Sequence, residues 1–426
     1  MTSKSFEKLD LRDIVKVNVI GIQLFGYFYP EHGTKTKRIC YRIYTTFIVG
    51  FMYVMCILTQ IADMITAFGD IEKMTNASFL TLSYVVQAFK LYPFIMHEAR
   101  VRALINSINR SEFKPKNWEH YYILTADIKM SQLISKTWLF TCCVACSTFG
   151  IFPMLDKDAD DQIRLPLSGW FPFKTDKSPM FEIAYAYQIV TIFVNALGIV
   201  CMDTFMMGCI MVISGQLSVL NNAFANIKQS DEKTAARRNL IQNMVHYRNI
   251  IQFADEITCL FTTCIMSQFV VSVIISCANL LQLTSVPVMS LQFVSMFLYE
   301  FCVLLEIFLW CYYGNEVILK SEQLTTSAFK SDWPDCNKEY KKDLLLFMIR
   351  SQRPLELYAG GYFPLSLQTF MAGLLFPLHS PFLIPSKWTS AWRGHVWIFH
   401  ISRSQQWLQL QQDHGDQPPQ DTEERP

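Results

Sequence analysis

Seven stretches of mostly apolar residues divide this chain: Ile43–Phe68, Phe79–Met96, Leu133–Phe152, Ile183–Met207, Ile257–Leu283, Val288–Tyr312 and a weaker Tyr358–Phe376. Each approaches or exceeds the roughly 20 apolar residues that carry an α-helix across a bilayer's hydrocarbon core. The pattern predicts an all-α integral membrane protein with seven transmembrane helices. A further helix is predicted outside the bilayer. Within Asn315–Arg353, the charged run Lys338–Asp343 leads into Leu344, Leu345, Leu346, Phe347 and Ile349. An amphipathic helix there presents an apolar face that asks for covering by other subunits.

Composition agrees. Hydrophobic residues make up 51% of the 426, and charged residues only 17%, against about 25% in a soluble domain. A net charge of +1 gives no reason to expect a nucleic-acid partner. The distribution of basic residues says more than their total. The segment before the first stretch carries Lys4, Lys8, Arg12, Lys16, Lys35, Lys37, Arg38 and Arg42, and the second, fourth and sixth loops are similarly basic. Counted this way, 26 Lys and Arg lie on one side. The other side has only Lys73, Lys157, Arg164, Lys174 and Lys177. Basic loops stay in the cytoplasm, so the N-terminus is expected inside, inverted relative to G-protein-coupled receptors. No cleaved signal peptide is expected in the first forty residues. The sequon Asn76-Ala77-Ser78 falls outside under this topology and is the glycosylation candidate, whereas Asn109-Arg110-Ser111 falls inside.

Chemistry-bearing patterns are sparse. There is no GxSxG, HExxH, P-loop or dinucleotide fingerprint, so an enzyme is not expected. Thirteen scattered cysteines offer no paired CxxC and read as small buried residues. No metal site and no cofactor are expected. The loop Pro153–Glu182 holds Asp156, Asp158, Asp160 and Asp161 but lacks a calcium-binding loop's Gly and terminal Glu. It reads equally as a structured lid or as an acidic solvated loop. Asp63, Lys90, Asp203, Glu300 and Glu306 are ionisable residues inside the apolar stretches, and such residues are costly and tend to mark paired or functional positions. Asp63, Lys90 and Asp203 lie near stretch ends, where a lysine can snorkel outward, and simple accommodation is the expectation. Glu300, near the middle of the sixth stretch, is the better candidate for a buried polar role, hydrogen-bonded to a nearby Tyr or Ser. Tyr84, Phe89, Tyr92, Phe140, Phe149, Tyr187, Phe193 and Met202 crowd the outer halves of the second to fourth stretches. They either line an apolar pocket for a small volatile or lipid-like ligand or serve helix packing.

The stretch from Cys311 to Ala372 is more specific. Cys311-Tyr312-Tyr313-Gly314-Asn315-Glu316, Lys320-Ser321-Glu322, Trp333, Phe347-Met348-Ile349-Arg350-Ser351-Gln352-Arg353-Pro354 and Ala359-Gly360-Gly361-Tyr362-Phe363-Pro364-Leu365-Ser366-Leu367-Gln368-Thr369-Phe370 resemble the C-terminal signature of insect odorant receptors. Gly169-Trp170-Phe171-Pro172 resembles the family's second outer loop. The resemblance runs to about Ala372. It implies a subunit of an odorant-gated cation channel at the plasma membrane of olfactory neuron dendrites. A ligand-tuning chain there combines with a shared olfactory co-receptor in a heterotetramer, amid membrane lipid, and takes small volatile apolar ligands. It further implies a cytoplasmic anchor including Lys338–Pro354 and pore-lining positions near Ser366, Gln368, Thr369 and Phe370. The modest loop Asn226–Glu256 favours the tuning chain over the co-receptor.

Residues 1–372 are thus expected to form the receptor domain. From 373 to 426 the chain departs from the family pattern. Pro377, Pro381 and Pro385 are expected to break or kink the last helix. A Trp- and Gln-rich tail follows, readable as an alternative exon or translated intron. Three rivals fit less well. A G-protein-coupled receptor needs the opposite orientation, an Asp/Glu-Arg-Tyr closing the third helix and an Asn-Pro-x-x-Tyr in the seventh. A gustatory receptor channel lacks the match at Ser321-Glu322 and Pro364–Gln368. A transporter shows internal repeats.

Overall fold

The computed structural model describes residues 9–30, 34–66, 71–155, 165–167, 169–173, 175, 178–227, 235–283, 286–287 and 290–379, with only the backbone given at 71–80, 152–155, 281, 291 and 375–379. The chain divides into two units, Met1–Leu375 and Phe376–Pro426. The tail beyond His379, with Pro381 and Pro385, and the four loop aspartates lie outside the described residues.

The first unit is helical. A short α1 (Lys16–Leu24) precedes the first membrane helix, which comprises α2 (Lys35–Phe47), a π-helical stretch (Ile48–Val54) and α3 (Met55–Thr66). Then come α4 (Ile71–Met96), α5 (Glu98–Ile108), α6 (Trp118–Leu155), α7 (Met180–Ala225), α8 (Ala235–Leu283), α9 (Leu291–Phe329), α10 (Lys338–Ser351) and α11 (Leu367–His379). Five of these helices among the described residues are long and apolar enough to cross a membrane: α2–α3, α6, α7, α8 and α9. They coincide with five of the expected stretches. The helix α4 covers the second, and carries Asn76 within its helical backbone.

The helices outrun the apolar stretches. α8 begins at Ala235 rather than Ile257, and α9 continues to Phe329 rather than ending at Tyr312. Polar helix formers such as Arg237, Gln242 and Gln323 extend each helix past the hydrocarbon, where hydropathy no longer reports it. The seventh stretch starts late. Instead of helix from Tyr358, a two-strand antiparallel hairpin pairs β1 (Tyr358–Ala359) with β2 (Phe363–Pro364). Gly360 and Gly361 turn it at φ of +61° and +78°, a region that costs other residues about 1–2 kcal/mol. Pro364 then cannot donate to an ongoing ladder, and α11 starts three residues later. Pro377 does not end α11, whose backbone remains helical to His379. Near a helix end a proline removes one backbone bond, here to the Gly373 carbonyl.

α7 is the central helix. Of its apolar window 83% is buried, against 22–44% for the other four. Against it pack α1, α6, α8 and α9, in a core that includes Met202, Phe205, Ile210, Ile213 and Trp310. α10 packs one side only. Leu344 and Phe347 are buried, and Phe347 stacks on Phe224 at 4.4 Å between ring centroids. Leu345, Leu346 and Ile349 are exposed, which leaves the expected apolar face uncovered within one chain.

Candidate functional site

A cavity of about 150 Å³ opens among α4, α6, α7, α8 and α9. Its wall is mostly apolar: Tyr84 from α4, Trp138, Ala145 and Phe149 from α6, Ile192 and Ala196 from α7, and Tyr299 and Val303 from α9. Leu167, from the loop between α6 and α7, lines it as well. That loop segment is tied down. The backbone N–H of Leu167 donates to Gln188 Oε1 at 3.1 Å, and Gln188 Nε2 donates to the Leu167 carbonyl at 3.0 Å. Trp170 N donates to the Thr59 carbonyl at 3.0 Å. These contacts anchor the described part of the loop, whereas its four aspartates lie outside the described residues.

The cavity's polar end is a buried ion cluster. Lys90 Nζ lies 2.8 Å from Asp203 Oδ1 and 2.6 Å from Glu306 Oε1. All three residues line the cavity and are buried. Gln268 Nε2 donates to Glu306 Oε2 at 3.1 Å and to Ser272 Oγ at 2.8 Å. Trp310 places its ring 5.5 Å below the Lys90 ammonium and its Nε1–H 3.3 Å from the Asp203 carbonyl. This corrects the expectation for two residues. Lys90 does not snorkel, and Asp203 is not at a helix margin, because α7 continues to Ala225 and buries its middle on all sides. Three charges in hydrocarbon are sustained only by pairing. Spacing in sequence cannot reveal this, since Lys90, Asp203 and Glu306 are over a hundred residues apart. Their common depth in three different stretches was the available signal. Glu300 does carry a buried polar contact, but with Asn279 Nδ2 at 3.0 Å, not with a Tyr or Ser.

The aromatic candidates separate. Tyr84 and Phe149 line the cavity. Met202 is buried in the α7 core, and Phe193 is partly buried against that core. Tyr187 donates from its hydroxyl to the Phe51 carbonyl at 2.8 Å. Phe89, Tyr92 and Phe140 face outward and are 45%, 56% and 71% exposed, the expected state of lipid-facing aromatics. Helical period explains the split. Phe140 and Phe149 are nine residues apart on α6, which places them on opposite faces at 100° per residue. Sequence proximity to the pocket therefore did not mean membership. Trp138, Cys142, Tyr299 and Cys302 line the cavity and were missed.

At the other end, Ser366 caps α11 by accepting from Thr369 N at 3.2 Å, and Thr369 Oγ1 donates to the Pro364 carbonyl at 2.7 Å. Phe370 packs on Phe308 of α9, with ring centroids 5.4 Å apart. Gln368 is exposed. Among the described residues, no group of three or more His, Cys, Asp or Glu side chains is placed to hold a metal ion.

Long apolar helices packed around a largely apolar cavity are the architecture of a helical membrane protein. The family model described as 7tm odorant receptor matches residues 70–376, and the chain belongs to that family. It is a membrane protein of a family whose members are odorant-gated receptors, not enzymes. It is 22% identical over 398 residues to odorant receptor Or1 of Anopheles gambiae, covering 86% of this chain and 93% of that one. It is 26% identical over 212 residues to odorant receptor 94a of Drosophila melanogaster, covering 49% and 54%. Its fold is similar to the olfactory receptor OR5 of Machilis hrabei, solved in complex with eugenol. There the TM-score is 0.73 at 18% identity, over 86% of this chain and 96% of that one.

Proposed function

We propose that this chain is the odorant-binding tuning subunit of a heteromeric, odorant-gated cation channel, assembled with the olfactory co-receptor in the plasma membrane of olfactory sensory neurons. The observation that carries the reading is the largely apolar cavity inside the helical bundle. Its volume matches spaces that take up a single aromatic ring. Family membership supports the channel and co-receptor parts, and the basic-residue bias supports a cytoplasmic N-terminus. The uncovered face of α10, with Leu345, Leu346 and Ile349, supports packing against neighbouring subunits. On α11, Gln368 and Met371 share an exposed face, while Ser366, Thr369 and Phe370 are engaged with their own chain. The pore-lining assignment therefore rests most directly on Gln368. Residues 373–426 are read as a departure from the family pattern.

Gating needs only that the odorant bind the open arrangement better than the closed one. The test is whole-cell current from this chain co-expressed with an insect co-receptor, under an odorant panel with G-protein signalling blocked. Evoked current absent with co-receptor alone is expected, and Ala196→Phe, which fills the cavity, abolishes it without loss of surface delivery. Full response with Ala196→Phe refutes the cavity as the odorant site.

A further inference from the structure

We propose that the Lys90–Asp203–Glu306 cluster selects odorants that carry a hydrogen-bond donor, an alcohol or phenol hydroxyl, on an apolar body. The proposal rests on the cavity being the odorant site and adds the chemical class. Donors and acceptors at the cavity's polar end are unequal in number. Lys90 has three N–H donors. One is donated to Glu306 Oε1, the ammonium lies 2.8 Å from Asp203 Oδ1, and it sits over the Trp310 ring at 5.5 Å. Both Gln268 amide hydrogens are occupied, by Ser272 and Glu306. Acceptors in the cluster outnumber these donors: two carboxylates offer about eight lone-pair sites, and Asp203 Oδ2, fully buried, accepts no hydrogen bond from a neighbouring side chain. A buried carboxylate oxygen without a donor is costly. A ligand hydroxyl arriving from the apolar side supplies that donor, while an ether, ester or hydrocarbon of equal shape does not. Discrimination of this kind, by hydrogen bonding inside an apolar pocket, is far stronger than discrimination by size.

The test compares three probes of nearly equal body on the chain co-expressed with a co-receptor: 4-methylphenol, 4-methylanisole and para-xylene. A charge-assisted hydrogen bond predicts a half-maximal concentration for 4-methylphenol at least about tenfold below the other two. Asp203→Asn, which keeps shape and removes charge, is expected to shrink that gap to about threefold. Equal potency of 4-methylphenol and 4-methylanisole in the unmodified chain, or no response to 4-methylphenol, overturns the proposal without reliance on any variant. Ala196→Phe separates the two readings. If it abolishes all responses while phenol and anisole are equipotent, only the donor selectivity falls. If it changes none, the cavity reading falls and the selectivity falls with it.

Discussion

Replacing Lys90 with Met tests the ion cluster most directly. The two contacts at 2.6 and 2.8 Å each represent about 6 kcal/mol of direct attraction at an effective dielectric of about 20. Much of that offsets the cost of bringing three charges out of water. Removing the ammonium leaves two carboxylates side by side with only Gln268 to serve them, and loss of one partner from a buried pair costs about 3–5 kcal/mol. Lys90→Met should therefore lower the survival of folded protein on heating in detergent, followed by fluorescence-detected size exclusion. Lys342→Met, an exposed lysine on α10, should change stability by no more than about 0.5 kcal/mol. The decisive comparison is the triple variant Lys90→Met with Asp203→Asn and Glu306→Gln. It removes all three charges at similar volume and should recover most of the loss. If Lys90→Met alone survives heat like the unmodified chain, the cluster is not a mutually dependent unit and the reasoning fails.

Further outcomes follow from other parts of the fold. A Cβ on Gly314 of α9 would strike the backbone carbonyl and Cβ of Leu365, just ahead of α11. Gly314→Ala should cost about 1–3 kcal/mol and reduce evoked current by displacing α11, and unchanged current and stability would count against that contact. Gly361→Ala meets no steric neighbour but holds φ at +78°, so it should cost about 1–2 kcal/mol, readable as lower thermal survival; a neutral result would deny the left-handed turn. Leu345→Glu with Ile349→Glu on the open face of α10 should leave the fold intact but prevent the proposed assembly with the co-receptor on size exclusion, and an unchanged assembly would show that this face is not at the interface. Asn109→Gln should leave gel mobility unchanged in glycosylating cells, because a cytoplasmic sequon is not modified; a glycan at Asn109 would reverse the orientation.

Much of the fold is legible because hydrocarbon imposes a simple rule. A chain crossing it must be apolar and internally hydrogen-bonded, so the six strongest apolar stretches mark helices wherever their ends lie. The weak seventh stretch shows the limit. Hydropathy alone continues it back to Tyr358, but Gly360, Gly361 and Pro364 make a hairpin there, and the local turn chemistry outweighs apolar content. The motifs from Cys311 to Phe370 identify the family without geometry, because they are strings of particular residues rather than a periodicity. What tertiary structure decided is which side chains meet. The sequence places Tyr84, Phe140 and Phe149 in the same crowded outer layers, and only the rotation of α6 turns Phe149 inward and Phe140 toward lipid. Lys90, Asp203 and Glu306 are individually visible as costly charges, yet their pairing depends on α4, α7 and α9 bringing them to one depth and one face. Hydrophobic patterning acts along one segment at a time, whereas a buried ion pair is a property of packing between segments, and so the receptor's class was written in the chain while its pocket chemistry arose only on folding.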